Sequence, residues 1–272
     1  MQPHFERFQK LAALPQATNA VDQALIDFHQ NKPSSVIKGR NVIAGYVRGW
    51  GLQFNIIRSF VQQDPVFNES LKLIEDLSLT HEVSLMNIFL IMKYGLPSQA
   101  GDMIEFGSYH GGSAIFMANV AKRLEIKGTI YTLDTFDVIP KPDPILDFLI
   151  TDDFKNTSFE ILCERISHLG LTNLIPIKGL FQKTASDLLH RSQKILLAYL
   201  DCKTYASTHY ALSTALPYMH PQGGYLVLHD PIHSNGLGPL QAMEEMIEVH
   251  QLYAEQAYPH IVYRYPSIPK YV

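Results

Sequence analysis

Between Gly101 and Asp230, short apolar runs alternate with longer stretches whose apolar residues recur at three- and four-residue spacing. The runs DMIEFG, GTIYTLD, NLIPIKG, ILLAYLD and GGYLVLHD predict five strands. Between them, GGSAIFMANVAKRL, NTSFEILCERISHLG, KTASDLLHRS and STHYALSTALPYM predict helices. A further helix, LQAMEEMIEVHQLY, precedes a last apolar stretch, HIVYRY. Strands apolar on both faces and separated by helices predict a mainly parallel sheet covered on both sides, a Rossmann-like doubly wound α/β domain. The first hundred residues read differently. There VDQALIDFHQ, LQFNIIRSFV, NESLKLIEDL and VSLMNIFLIMKYGL predict helices with no strands between them. The chain therefore divides into a helical segment over 1–98 and an α/β domain over 99–272.

Composition narrows the function classes. Of 272 residues, 46% are hydrophobic and 18% charged, which describes a globular protein with a core. A net charge of −4 and the lack of a basic, aromatic-interleaved cluster argue against nucleic acid as a partner. No run approaches the roughly 20 apolar residues of a membrane helix, and MQPHFERFQK has no signal-peptide core. Cys163 and Cys202 are too few for a disulfide framework or a thiolate zinc site. A cytoplasmic protein is the expectation.

In a doubly wound sheet, ligands bind at the carboxyl ends of the strands. Glu105, Asp134, Asp201 and the pair His229-Asp230 stand at four of the five predicted ends. So many acids are more than solubility requires, because unpaired charge is costly there. The turn from Glu105 to Ser113 is rich in glycine without being G-x-G-x-x-G, which argues against a nicotinamide or flavin dinucleotide. Its helix N-terminus suits a carboxylate as well as a phosphate. Asp134 stands where an acid can accept hydrogen bonds from both hydroxyls of a ribose. Together they point to a nucleoside cofactor.

The stretches GDMIEFGSYHGGSAIFMA, LDTFDVIP, IKGLFQKT, YLDCKTYAST and PQGGYLVLHD, in that order and spacing over Thr80 to Asp230, resemble the macrocin O-methyltransferase family. The resemblance implies S-adenosylmethionine as cofactor and a hydroxyl of a small secondary metabolite, a sugar or glycosylated natural product, as acceptor. It implies that Glu105, Gly107, Ser108, Tyr109 and Ser113 line the methionine end of the cofactor. Asp134 would hold the ribose, Thr135 and Phe136 would lie beside the adenosine, and Gly179 and Phe181 would face the adenine. Asp201 would bind the cofactor as well. A helical N-terminal lid and a homodimer are implied as well.

The family's divalent metal would be held by Asp201, His229 and Asp230. This chain departs from the pattern at two of the acid positions, where Lys203 and His229 stand. Both changes disfavour Mg²⁺, and an imidazole favours a softer ion such as Mn²⁺, Fe²⁺ or Zn²⁺. Two catalytic versions stay open. In one, the metal acidifies the acceptor hydroxyl. In the other, His229 is the base, Asp230 orients it, and Lys203 either neutralises Asp201 or acts as a base itself. The alternatives are a metal-independent methyltransferase on another acceptor and a non-catalytic cofactor-binding homologue. Acceptor choice is expected in the N-terminal segment, whose aromatics include Tyr46, Trp50, Phe54 and Phe60, and in the loops 138–153 and 231–239. His110 and His233 are further groups within reach of a ligand. Cys202 reads as a packed side chain, with no base placed to activate it.

Overall fold

The computed structural model describes residues 36–37, 40–41, 56–78, 80, 82–137, 142–144, 146–147, 156–229, 237–254 and 261–266. Within them, a short antiparallel ribbon pairs Val36–Ile37 with Arg40–Asn41. Helices α1 (Ile56–Gln62), α2 (Pro65–Lys72) and α3 (Glu82–Leu90) follow, and a π-helical turn over Ile91–Gly95 extends α3. Pro65 opens α2 where its missing N–H costs nothing, and the Asp64 side chain caps the helix by accepting from Val66 N.

The α/β order then runs β1 (Asp102–Phe106), α4 (Gly112–Arg123), β2 (Ile130–Asp134), α5 (Phe159–His168), β3 (Leu174–Lys178), α6 (Phe181–Arg191) and β4 (Ile195–Leu200). It closes with α7 (Tyr205–Ala215), β5 (Gly224–Leu228), α8 (Leu237–His250), β6 (Tyr253–Ala254) and β7 (Ile261–Tyr265). The five predicted strands all form and pair in parallel. HIVYRY supplies β7, which runs antiparallel and inserts between β5 and β6, giving one sheet in the order β3-β2-β1-β4-β5-β7-β6. The strand order reverses between β1 and β4, and that switch point opens the crevice where ligands bind.

Period-2 alternation divides the sheet residues between two apolar clusters. Met103, Leu197, Tyr199 and Val227 face α2, α3, α4 and α5, whereas Ile104, Phe106, Ala198 and Leu228 face α6, α7 and α8. The described helices before residue 98 share the first of these cores. Phe67 of α2 is fully buried, with edge-on rings from Phe89 at 5.4 Å and Phe116 at 5.7 Å. The helix predicted at VDQALIDFHQ, together with Tyr46, Trp50 and Phe54, lies outside the described residues, while Phe60 is exposed on α1. Among the described residues, no helix is long and apolar enough to cross a membrane.

Candidate active site

Two close approaches shape the turn from β1 into α4. Gly107 has φ 97°, and a Cβ on it would strike the backbone carbonyl of Asp201. A Cβ on Gly112, the first residue of α4, would strike Ser78. Glycine at these positions lets the exit of β1 meet the exit of β4 and lets α4 start against the segment leading to α3.

Asp134, at the end of β2, holds this turn in place. Its Oδ2 accepts from the backbone N–H of Ser108 at 2.7 Å and of Tyr109 at 2.9 Å, and its Oδ1 accepts from Phe136 N at 3.1 Å. Tyr109 and Phe136 both have positive φ, 51° and 49°, which costs an aromatic residue on the order of 1 kcal/mol or more. Charge-assisted bonds from both of their N–H groups to one carboxylate offset that strain. The Thr135 hydroxyl is held more loosely, 3.4 Å from Oδ1.

Glu105 lies beneath the turn. Strand alternation puts it in the row of Met103, under α4, and directly across from Thr132 in register. It is fully buried, with the Ser113 hydroxyl donating to Oε1 and the Thr132 hydroxyl donating to Oε2 at 2.5 Å. Burial pushes its carboxyl from the ordinary 4.5 up to about 8, against the pull of the two hydroxyls, and the charges of Asp201 and Asp134 add to the rise. Glu105, expected at the methionine end, is not among the residues that line the cavity. It positions Ser113, which does face the cavity.

The other half of the site comes from the next two strand ends. Asp201 N donates to Phe106 O at 2.9 Å and His229 N to Leu200 O at 3.0 Å, so the ladder continues one residue past each strand. Lys203 Nζ donates to Asp201 Oδ1 at 2.5 Å, with the two side chains 23% and 18% exposed. Thr204 then caps α7 by accepting from Ser207 N at 3.2 Å, which fixes the backbone beside Lys203. His229 is buried, with Nδ1 3.4 Å from the Ser84 hydroxyl of α3.

These elements surround a cleft that encloses about 960 Å³, part of it open to solvent. Of the residues singled out in the sequence, it gathers Gly107, Ser108, Tyr109, Ser113, Asp134, Thr135, Phe181, Asp201, Lys203 and His229. It does not gather Phe136, whose ring packs edge-on against Phe159 at 5.4 Å, or Gly179, whose N–H donates to Asp134 O at 2.8 Å. Asp230 and His233 lie outside the described residues. Sequence reasoning missed Leu77, Ser78, Thr80, Thr157, Leu180 and Gln182, all on the cavity wall. The glycine at 112 was the available sign of the Ser78 approach. Thr157 carried none.

The cavity suits a nucleoside that bears an amino acid. Ser108 and Thr157 line it, and their hydroxyl oxygens are buried without a hydrogen-bond partner among the described residues. The same residues do not suit a divalent cation. An ammonium holds Asp201 Oδ1, Ser84 stands against the Nδ1 of His229, and among the described residues no three His, Cys, Asp or Glu side chains converge to hold an ion. Of the expected metal set of Asp201, His229 and Asp230, only Asp201 and His229 lie within the described residues.

A family model described as Macrocin-O-methyltransferase (TylF) matches residues 91–255, more than half of the chain. Among solved structures, the O-methyltransferase NovP matches at 18% identity and TM-score 0.57, over 69% of this chain and 81% of that one. CalS11, described as a calicheamicin methyltransferase, matches at 17% identity and TM-score 0.58, over 78% and 91%. An apo structure of CalS11, described as a TDP-rhamnose 3'-O-methyltransferase, matches at 17% identity and TM-score 0.52, over 78% and 93%. At these identities the structural likeness establishes the Rossmann-like fold alone. A search of curated proteins found no match.

Proposed function

The chain belongs to the macrocin O-methyltransferase family and is an S-adenosylmethionine-dependent methyltransferase, and from that premise we propose that it methylates a hydroxyl of a sugar-like small molecule with His229 as the base. One observation carries the reading. The turn tied down by Asp134 and the group Asp201, Lys203 and His229 line one and the same cavity. The sugar acceptor is favoured by the kinship with CalS11, described as acting on a nucleotide-linked rhamnose.

S-adenosylmethionine, when bound, supplies a sulfonium methyl group: the acceptor oxygen forms the new C–O bond, the C–S bond breaks, and sulfur keeps the electron pair. The chain's task is alignment and removal of the hydroxyl proton. Asp134 Oδ1, where the Thr135 hydroxyl is only loosely held, is the acceptor we assign to the ribose hydroxyls. Ser108 and Thr157 supply hydroxyls to the polar atoms of the same ligand. We assign the acceptor's proton to the His229 ring, which leaves His229 as an imidazolium. Ser78 and Thr80 bring the segment before α3 to the cavity wall, which supports a covering role for the residues N-terminal to the sheet.

Calorimetric titration with S-adenosylhomocysteine tests the cofactor site. Saturable one-to-one binding is expected. Ser108→Ala removes a hydroxyl with no internal partner, so it should weaken binding about 5- to 10-fold without a stability cost. Asp134→Asn should weaken binding about 10- to 100-fold and also lower the melting temperature, because the amide cannot accept as the carboxylate does from Ser108 and Tyr109. A folded wild-type chain that fails to bind overturns the cofactor assignment. Incubation with hydroxyl-bearing nucleotide sugars and glycosides, followed by mass detection of the added methyl, then tests the acceptor class.

A further inference from the structure

We propose that the Lys203 ammonium is the resident cation of this site, standing where the family pattern places an acid for a divalent metal, so that this chain transfers methyl groups without one. The proposal rests on the O-methyl-transfer reading and adds to it the source of positive charge beside the acceptor oxygen.

Placement comes first. Asp201 and His229 leave adjacent parallel strands, and Lys203 follows Asp201 by two residues, immediately before the Thr204 cap of α7. A lysine at the head of a helix sits at the positive end of its dipole, where anions rather than cations are favoured. Something must repay that placement. The Asp201 carboxylate does so in part, 2.5 Å away, with both side chains about four-fifths buried and both on the cavity wall beside His229.

The charge count follows from the pair. With the Asp201 carboxylate already paired to the Lys203 ammonium, a dication arriving here would meet a repelling cation beside an imidazole. For an acceptor hydroxyl the same pair is well suited. As the proton passes to His229, negative charge grows on the oxygen, and a fixed ammonium in a partly desolvated cavity stabilises it. Lys203 keeps its own protons throughout. Asp201 holds the ammonium in position.

The test compares full-length wild type, Lys203→Ala and Lys203→Asp. Mn²⁺ binding is followed by the loss of the free-ion signal in electron paramagnetic resonance, and methyl transfer is followed after EDTA treatment with and without added Mn²⁺. Binding of S-adenosylhomocysteine verifies that each variant is folded. Wild type is expected to bind no Mn²⁺ at millimolar concentration and to turn over equally with and without EDTA. Lys203→Ala should lose about 100-fold in kcat, the cost of removing one charge-stabilising donor, with KM for S-adenosylmethionine unchanged. Lys203→Asp should bind Mn²⁺ and recover activity when the ion is added, a rescue that a merely structural lysine would not produce. Stoichiometric Mn²⁺ binding by wild type overturns the proposal, and so does failure of both variants to gain Mn²⁺ affinity. Because the binding arm needs no acceptor, it decides the matter even if no hydroxyl substrate is turned over, an outcome that would count against the methyl-transfer reading alone.

Discussion

Replacing His229 with alanine should lower kcat by about 10²- to 10⁴-fold, the range for loss of a positioned general base, while leaving S-adenosylhomocysteine affinity near that of wild type. Affinity should hold because the carboxylate assigned to the ribose, Asp134, ends β2, with two strands between it and the end of β5 that carries His229. His229 is fixed from two directions. Its backbone N–H donates to Leu200 O, and its ring lies against the Ser84 hydroxyl. Removing the ring strips that buried hydroxyl of its neighbour, so a stability loss of about 1–3 kcal/mol is expected as well. His229→Gln retains a polar group there and separates the two effects. It should recover part of the stability and none of the rate. Single-turnover methyl transfer and urea unfolding measure both. A kcat within a few-fold of wild type in the alanine variant would move the base elsewhere.

Glu105 governs the pH dependence of stability. Below pH 4.5 its carboxyl is protonated in the folded and unfolded chains alike and contributes nothing to the difference. From pH 4.5 to about 8 the unfolded chain gives up the proton while the folded chain keeps it, so stability falls with rising pH. The loss reaches about 4 kcal/mol at pH 8 and levels off at about 5 kcal/mol a pH unit higher. Glu105→Gln should remove this slope, because the hydroxyls of Ser113 and Thr132 can rotate to suit an amide. Urea midpoints measured for both proteins from pH 5 to pH 8.5 give the difference directly. Other titrating groups cancel between the two curves. The variant should be the more stable at pH 8 and the gap should close towards pH 5. Parallel curves would mean that Glu105 is ionised in the folded chain.

Much of this architecture was legible because apolar runs and helical spacing are local signals. All five parallel strands appeared in the sequence, and the acids at their ends located the crevice. What stayed hidden needed tertiary knowledge. Glu105 read as a ligand-facing acid, yet β1 is buried at every position, so hydropathy alone does not tell one face from the other. Its true neighbour left a trace, since Thr132 interrupts the otherwise apolar IYTLD and pairs with it. The direction of β7 was hidden for a similar reason, because an apolar run says nothing of which way it will be inserted. Thr157 and Thr80 reach the cavity only because α5 and α3 begin at its rim, a fact that no spacing within either segment encodes. Lys203 was legible as a departure, but its partnership with Asp201 required geometry.

The contact between Gly107 and the carbonyl of Asp201 has a bearing on evolvability. The donor half of the crevice hangs from one side of that joint and the acceptor half from the other, with backbone rather than side chains between them. Substitutions can therefore reshape the acceptor pocket without disturbing the line along which the methyl group travels. A scaffold with this division can take on new hydroxyl substrates by changes at its rim, while any residue larger than glycine at 107 would put both halves out of alignment at once.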